Sequence, residues 1–95
     1  MKTIKIVYII PIFVEEMPDK FEENKLYISE TYGNVAIHLC LCGCKNQTVT
    51  PLGGGKNWEL VKEKDGTVSL IGSIGNFRFP CKSHYIITKN KANFV

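Results

Sequence analysis

The sequence predicts a mainly β fold: a small, single-domain, sheet- or sandwich-like arrangement over residues 1–95 with little helix. Three observations predict it. Short stretches of β-branched and aromatic residues recur at strand length, and Gly, Asn, Asp and Pro punctuate them. The only candidate for helix is a single turn near Pro18-Asp19, in the polar segment from Glu15 to Lys25. All four cysteines fall in two clusters, Cys40-Leu41-Cys42-Gly43-Cys44 and Cys81-Lys82-Ser83-His84, which a common ligand would draw together.

The elements follow in order along the chain. Thr3 to Phe13 is rich in Ile, Val and Tyr and reads as a strand buried on both faces, or as one broken at Pro11. Leu26-Tyr27-Ile28-Ser29 is a short strand, and Thr31-Tyr32-Gly33-Asn34 is turn chemistry leading into the next. Val35 to Cys42 alternates. Val35, Ile37, Leu39 and Leu41 are expected on the core face, with Ala36, His38, Cys40 and Cys42 on the other. Thr48-Val49-Thr50 is a further strand, ended by Pro51 and the Gly53-Gly54-Gly55 loop. Trp58 to Val61 and Thr67 to Ile71 flank a Lys64-Asp65-Gly66 turn, which signals a hairpin. Ser73-Ile74-Gly75-Asn76 reads as a second tight turn, and Tyr85 to Ile87 pairs with Ala92 to Phe94 across Lys89-Asn90. Seven or eight short strands result, with no repeat and no internal linker.

Composition sets bounds on what such a fold does. With 44% apolar and 22% charged residues the chain lies in the ordinary globular range. A core of this size is modest, so one structural metal would add stability that burial alone does not supply. The net charge of +3 comes from scattered lysines, and Arg78 is the only arginine. A nucleic-acid surface normally shows a stripe of both residues. Only Phe77, Arg78, Phe79 and Lys82 interleave aromatic and basic character, and strand alternation explains them equally well. The opening segment resembles a signal peptide only at its start: Lys5 and Pro11 interrupt the apolar run, and Glu15-Glu16 stand where a cleavage site would be. It is also too short to span a bilayer. A cytoplasmic protein with reduced thiols is expected, without membrane attachment.

Thiolate and imidazole in a reducing compartment favour zinc, with iron as the alternative. The candidate ligands are Cys40, Cys42, Cys44, Cys81 and His84, with His38 nearby: more than a tetrahedron holds. An extended 40–44 segment would separate Cys40 from Cys44 by about 13 Å, so a turn is required, and Gly43 permits one. The preferred quartet is Cys42, Cys44, Cys81 and His84, with Cys40 as the first replacement. Gly53-Gly54-Gly55-Lys56 lacks the spacing and the following Ser/Thr of a phosphate-binding loop.

Leu26-Tyr27-Ile28-Ser29, His38-Leu39-Cys40-Leu41-Cys42-Gly43-Cys44, Thr50-Pro51-Leu52, Trp58, Val68-Ser69-Leu70, Ser73-Ile74-Gly75-Asn76 and Cys81-Lys82-Ser83-His84-Tyr85 carry a resemblance. In order and spacing, over nearly the whole chain, they resemble the small bacterial family known as domain of unknown function 6527. The resemblance implies a place beside bacterial ubiquitin-like conjugation systems. The implied partners are a ubiquitin-like protein or its conjugating enzymes, and the implied activity is a peptidase or esterase that processes or removes the modifier. The chain departs from the family pattern at Gly72, where proline is usual, at Lys45, where glycine is usual, and at Ile86, where an aromatic is usual. None of these is a candidate ligand.

Two hydrolytic schemes fit these residues. In one, Ser73 or Ser83 attacks an acyl carbon, backbone N–H groups at Gly75 hold the oxyanion, and His38 is the base, because a zinc-bound His84 could not be. The plainer reading of Ser73 is a turn serine bonded to its own backbone. In the other, zinc keeps a position open for water and Glu30 is the base. Three thiolates make zinc a weak Lewis acid, which favours a closed structural site. Pro80-Cys81 matches half of a zinc-deaminase signature, but the H-x-E half is absent. Only the resemblance lifts Ser73 above that plainer reading, and what it implies is Ser73 and His38 as the reacting pair, beside one structural Zn2+. The alternative is a non-catalytic, zinc-ribbon-like module that binds a protein partner.

Overall fold

The computed structural model describes residues 5–31, 33–76 and 80–95 and is built from ten short β-strands in three sheets, with no helix among those residues. The first sheet runs β1-β10-β9-β8, the second β2-β3-β4-β5, and the third is the β6-β7 hairpin. The strands are β1 Ile6–Tyr8, β2 Ile10–Phe13, β3 Lys25–Ser29, β4 Val35–Leu39, β5 Gln47–Pro51, β6 Glu59–Lys62, β7 Val68–Ile71, β8 Ile74–Gly75, β9 His84–Thr88 and β10 Lys91–Phe94. The predicted mainly β class is what the chain adopts.

The N-terminal stretch is two strands in two sheets. The chain switches sheets at Ile9, which is buried, and Pro11 lies inside β2. Proline is tolerated there because β2 is an edge strand, parallel to β3. Neither strand is buried on both faces: Ile6, Tyr8, Ile10 and Phe13 are exposed. No helical turn forms between Glu15 and Lys25. That connection is held by the Ser29 hydroxyl, which donates to the Glu15 carbonyl, and by the edge of Phe21 on Tyr27.

Strand β4 turns its face opposite to the expectation. Ala36, His38 and Cys40 are buried, while Val35, Ile37 and Leu39 are partly exposed. Strand β5 repeats the inversion, with Thr48 and Thr50 inside and Val49 at the surface. His38 Nε2, Cys40 and Thr48 are hydrogen-bonded on this face, whereas His38 Nδ1 and Thr50 Oγ1 have no partner among the described residues.

Both predicted hairpins form. Strands β6 and β7 pair from Glu59↔Ile71 to Lys62↔Val68. Strands β9 and β10 pair across Lys89 and Asn90, both of which have positive φ as a two-residue hairpin turn requires. Asn90 also ties this turn to β7: its amide donates to the Val68 carbonyl and its side-chain oxygen accepts from Val68 N–H. The segment expected as a tight turn, Ser73 to Asn76, instead contains β8, which pairs with β9 as Ile74↔Tyr85 and Gly75↔His84. The core between the sheets gathers Ile9, Leu26, Ile28, Leu70, Ile74, Tyr85 and Ile87. Among the described residues no helix is long and apolar enough to cross a membrane. The expected strand start at Thr3-Ile4, Tyr32, and Phe77, Arg78 and Phe79 lie outside the described residues.

Candidate functional site

Beyond the end of β4 the chain curls through residues 41–44. Gly43 (φ 99°) and Lys45 (φ 65°) take left-handed backbone angles, and Gly43 N–H bonds back to the Cys40 carbonyl. The curl brings Cys40, Cys42 and Cys44 together, and Cys81, just before β9, meets them. The four sulfurs lie within 4.8 Å of one another. Cys40 Sγ is 3.4 Å from Cys42 Sγ and 3.7 Å from Cys81 Sγ, and Cys44 Sγ is 3.6 Å from Cys81 Sγ. A tetrahedron with 2.3 Å metal–sulfur bonds has edges of about 3.8 Å, so the four thiols fit one ion. All four are free thiols. His84 is not part of this group, nor is Glu30, which pairs with Lys62 at 2.6 Å.

Donors surround the sulfurs. Asn46 Nδ2 reaches Cys44 Sγ at 3.2 Å, Cys44 N–H reaches Cys42 Sγ at 3.4 Å, and Asn76 Nδ2 reaches Cys40 Sγ at 3.4 Å. The Ser83 hydroxyl lies 3.0 Å from Cys40 Sγ and 3.6 Å from Cys81 Sγ. Hydrogen bonds from the side chain and backbone of Ser83 draw the Cys81 thiol down to about 6. Cys44 is lowered by the backbone of Asn46, while desolvation pushes Cys42 up to about 12. Donors of this kind favour thiolate, the form that binds metal.

A buried polar network continues inward from the thiols. Asn76 Nδ2 lies 3.1 Å from Ser83 Oγ and 3.3 Å from the Tyr85 hydroxyl, and Thr48 Oγ1 donates to Asn76 Oδ1 at 3.2 Å. The Tyr85 hydroxyl meets His38 Nε2 at 2.5 Å. His38 is 1% exposed, and burial lowers its imidazole to about 4, so the ring is neutral at pH 7. Ser83 is buried as well. Sequence reasoning missed Asn76, Thr48 and Tyr85 as parts of this network. Asn76 and Tyr85 stood inside the quoted motifs, but only the inverted face of β4 turns them toward the cysteines.

Ser73 lies elsewhere. It is exposed and lines an open groove of about 380 Å³ with Gly54, Gly55, Trp58, Ile71 and Gly72. The Trp58 indole N–H donates to the Ser73 carbonyl at 3.1 Å. The structure does not bring His38 to Ser73: one is interior and bonded to Tyr85, the other is at the surface. His84 stands differently. Burial alternates along β8 and β9, with Ile74 and Tyr85 inside, so Gly75, His84 and Ile86 share the outer face of the ribbon, and Ser73, one residue before β8, is exposed. Gly75 is directly opposite His84. Ser73 precedes β8 by one residue, and continuing the register of the ladder by that residue would set it diagonal to His84, a relation that spans about 7–8 Å.

No curated protein and no solved structure matches the chain. The model of one family, described as the bacterial ubiquitination-like system serine protease (BubE), matches residues 13–95. That span takes in every cysteine, both histidines, Ser73 and the strands that carry them, from within β2 to the end of the chain. The chain belongs to the BubE family of bacterial ubiquitination-like systems.

Proposed function

We propose that this chain is a zinc-stapled serine hydrolase, a peptidase or esterase that processes or removes the ubiquitin-like modifier of its system. The observation that carries the reading is the division of labour between the two clusters. Four thiols suffice to fill a tetrahedral shell, so His84 is not needed as a ligand; it faces outward from β9 opposite Gly75, and the β8–β9 register continued by one residue brings the accessible Ser73 to the same side. A closed tetrathiolate shell leaves no position for water and supports a structural role for the ion. When bound, zinc would hold the 40–44 curl to the start of β9. Zinc suits four thiolates better than harder metals do.

In this reading Ser73 is the nucleophile and His84 its base, in place of the interior His38. The Ser73 hydroxyl passes its proton to His84 as Oγ attacks the carbonyl carbon of the substrate. The tetrahedral adduct collapses, the leaving group takes that proton, and water then cleaves the acyl-serine by the same route. Among the described residues β8 is the edge of its sheet. Asn76 N–H points to β9, where it bonds the Ser83 carbonyl, so antiparallel alternation turns the Gly75 N–H toward the open edge. That N–H is a suitable oxyanion donor beside Ser73. The reading as a recognition module draws on one feature, the exposed Ile6, Tyr8, Ile10 and Phe13 of the N-terminal strands, which suit docking to a partner's apolar patch.

The test is turnover of a conjugate in which the ubiquitin-like protein is linked through an ester or amide bond. Ser73→Ala and His84→Gln should each lower the rate by about 10⁴-fold with metal content unchanged. His38→Gln should alter stability and leave residual activity in proportion to the folded fraction. Full turnover by Ser73→Ala overturns the assignment, and binding of the conjugate without cleavage by the wild type favours the recognition module.

A further inference from the structure

We infer that Asn76 is a positioning residue: its single carboxamide joins the thiol cluster to the β8–β9 ribbon and so sets the placement of Ser73 against His84. The inference rests on the reading of those two residues as the reacting pair. Strand β8 has only two ladder positions, Ile74↔Tyr85 and Gly75↔His84, too few to hold a strand in register unaided. Asn76 adds a third rung, its N–H donating to the Ser83 carbonyl at 2.7 Å. This rung sits directly next to the Gly75↔His84 pair, between the proposed base and the cysteine cluster.

The side chain of Asn76 then leaves the ribbon on its inner side and makes a second connection. Its Nδ2 is within 3.1 Å of Ser83 Oγ, 3.3 Å of the Tyr85 hydroxyl and 3.4 Å of Cys40 Sγ, and its Oδ1 accepts from Thr48. Ser83 and Tyr85 flank His84 at the start of β9, Cys40 directly follows β4, and Thr48 lies on β5. Three chain segments therefore converge on one side chain that is 6% exposed. Only an amide can do this, because it offers two N–H groups toward sulfur and hydroxyl and an acceptor toward Thr48. A thiolate only accepts, so Cys40 in that form fixes which end of the amide faces the thiols, and the Thr48 hydroxyl donates to the other end.

The experiment uses the intact chain with zinc or cobalt bound. A fluorophosphonate reagent reports how well Ser73 is activated, and the sulfur-to-cobalt charge-transfer band reports the N–H···S bond on Cys40. Asn76→Ala should slow labelling of Ser73 by roughly 10- to 100-fold and shift the cobalt band, with one metal per chain retained. Should that variant fail to fold, Thr48→Val keeps the carboxamide and removes the hydroxyl that donates to its oxygen. It should move both readouts in the same direction by a smaller factor. Labelling at the wild-type rate in both variants overturns the inference and leaves the reacting pair standing. Slower labelling with an unmoved cobalt band overturns the connection to the thiols. A wild type that is not labelled at Ser73 overturns the reacting pair, and the inference with it.

Discussion

Gly72→Ala tests the architecture around Ser73 most directly, because two separate penalties meet at that residue. Gly72 has φ +117°, where an L side chain costs about 1–3 kcal/mol. A Cβ built there would lie 2.9 Å from Trp58 Cδ1 and 3.2 Å from Nε1, closer than carbon contacts allow. The indole must move, and its hydrogen bond to the Ser73 carbonyl is the first casualty, at about 1 kcal/mol. The total is about 2–4 kcal/mol. Gly66 supplies the control: it has φ +88° with nothing within 4 Å of an added Cβ, so Gly66→Ala carries backbone strain alone. Urea unfolding of the two variants separates strain from clash by difference. Trp58 is the only tryptophan in the chain, so native-state emission reports displacement of this ring and no other. Gly72→Ala should shift that emission and Gly66→Ala should not. Equal destabilisation of the two variants with unmoved emission would refute the contact between Trp58 and the backbone entering Ser73.

Other consequences follow from the same geometry. Trp58→Phe keeps the aromatic wall but loses the bond to the Ser73 carbonyl; it should cost about 1 kcal/mol in unfolding experiments and lower kcat more than it raises KM. Asn90→Gly retains the left-handed turn but loses the bond to Val68 N–H, so a small loss of stability is expected, and Asn90→Ala should lose more by adding strain at φ 63°. Bound zinc, measured by elemental analysis, should be one per chain, and Cys44→Ser should release it to a chelator faster than His84→Gln does. Asp65 is held below the usual carboxylate range by the Thr67 hydroxyl and N–H. The stabilisation is therefore present above the unfolded pKa and is lost as pH falls through the folded one, and Asp65→Asn should flatten that part of the acid titration.

What the sequence disclosed was what depends on neighbours in the chain. The two hairpins were legible because alternation and turn chemistry lie within a few residues of each other, as at Lys64-Asp65-Gly66 and Lys89-Asn90. Strand β8 was not, because its partner β9 is set by contacts across the fold and a Ser-Ile-Gly-Asn segment carries turn propensity of its own. The face of β4 was misjudged for a related reason. Alternation separates two faces without saying which is inside, and apolarity picks the wrong one when Thr48, Asn76, Ser83 and Tyr85 arrive from elsewhere to satisfy His38 and the thiols. The cysteine cluster was legible as a cluster. Its composition was not, since choosing among five ligands requires knowing that the 41–44 curl is tight enough to bring both Cys40 and Cys44 to Cys81.

That curl also explains why the inverted face is tolerable. A β-strand that turns His38 and Cys40 inward would ordinarily leave buried polar groups costing about 1–3 kcal/mol each. Here nearly every such group finds another: imidazole to phenol, phenol to amide, amide to hydroxyl and sulfur. The chain of bonds ends at the thiols, and a bound metal ion would make the last link a strong acceptor, since a thiolate accepts N–H and O–H bonds better than a thiol does. Metal binding and satisfaction of the interior would thus be one event. On this account the loss of zinc would weaken not only the 40–44 curl but the whole inner face of β4 and β5, and with it the start of β9. The proposed reacting face of that ribbon is one residue away from the network, so a bound ion would shape that site without touching it.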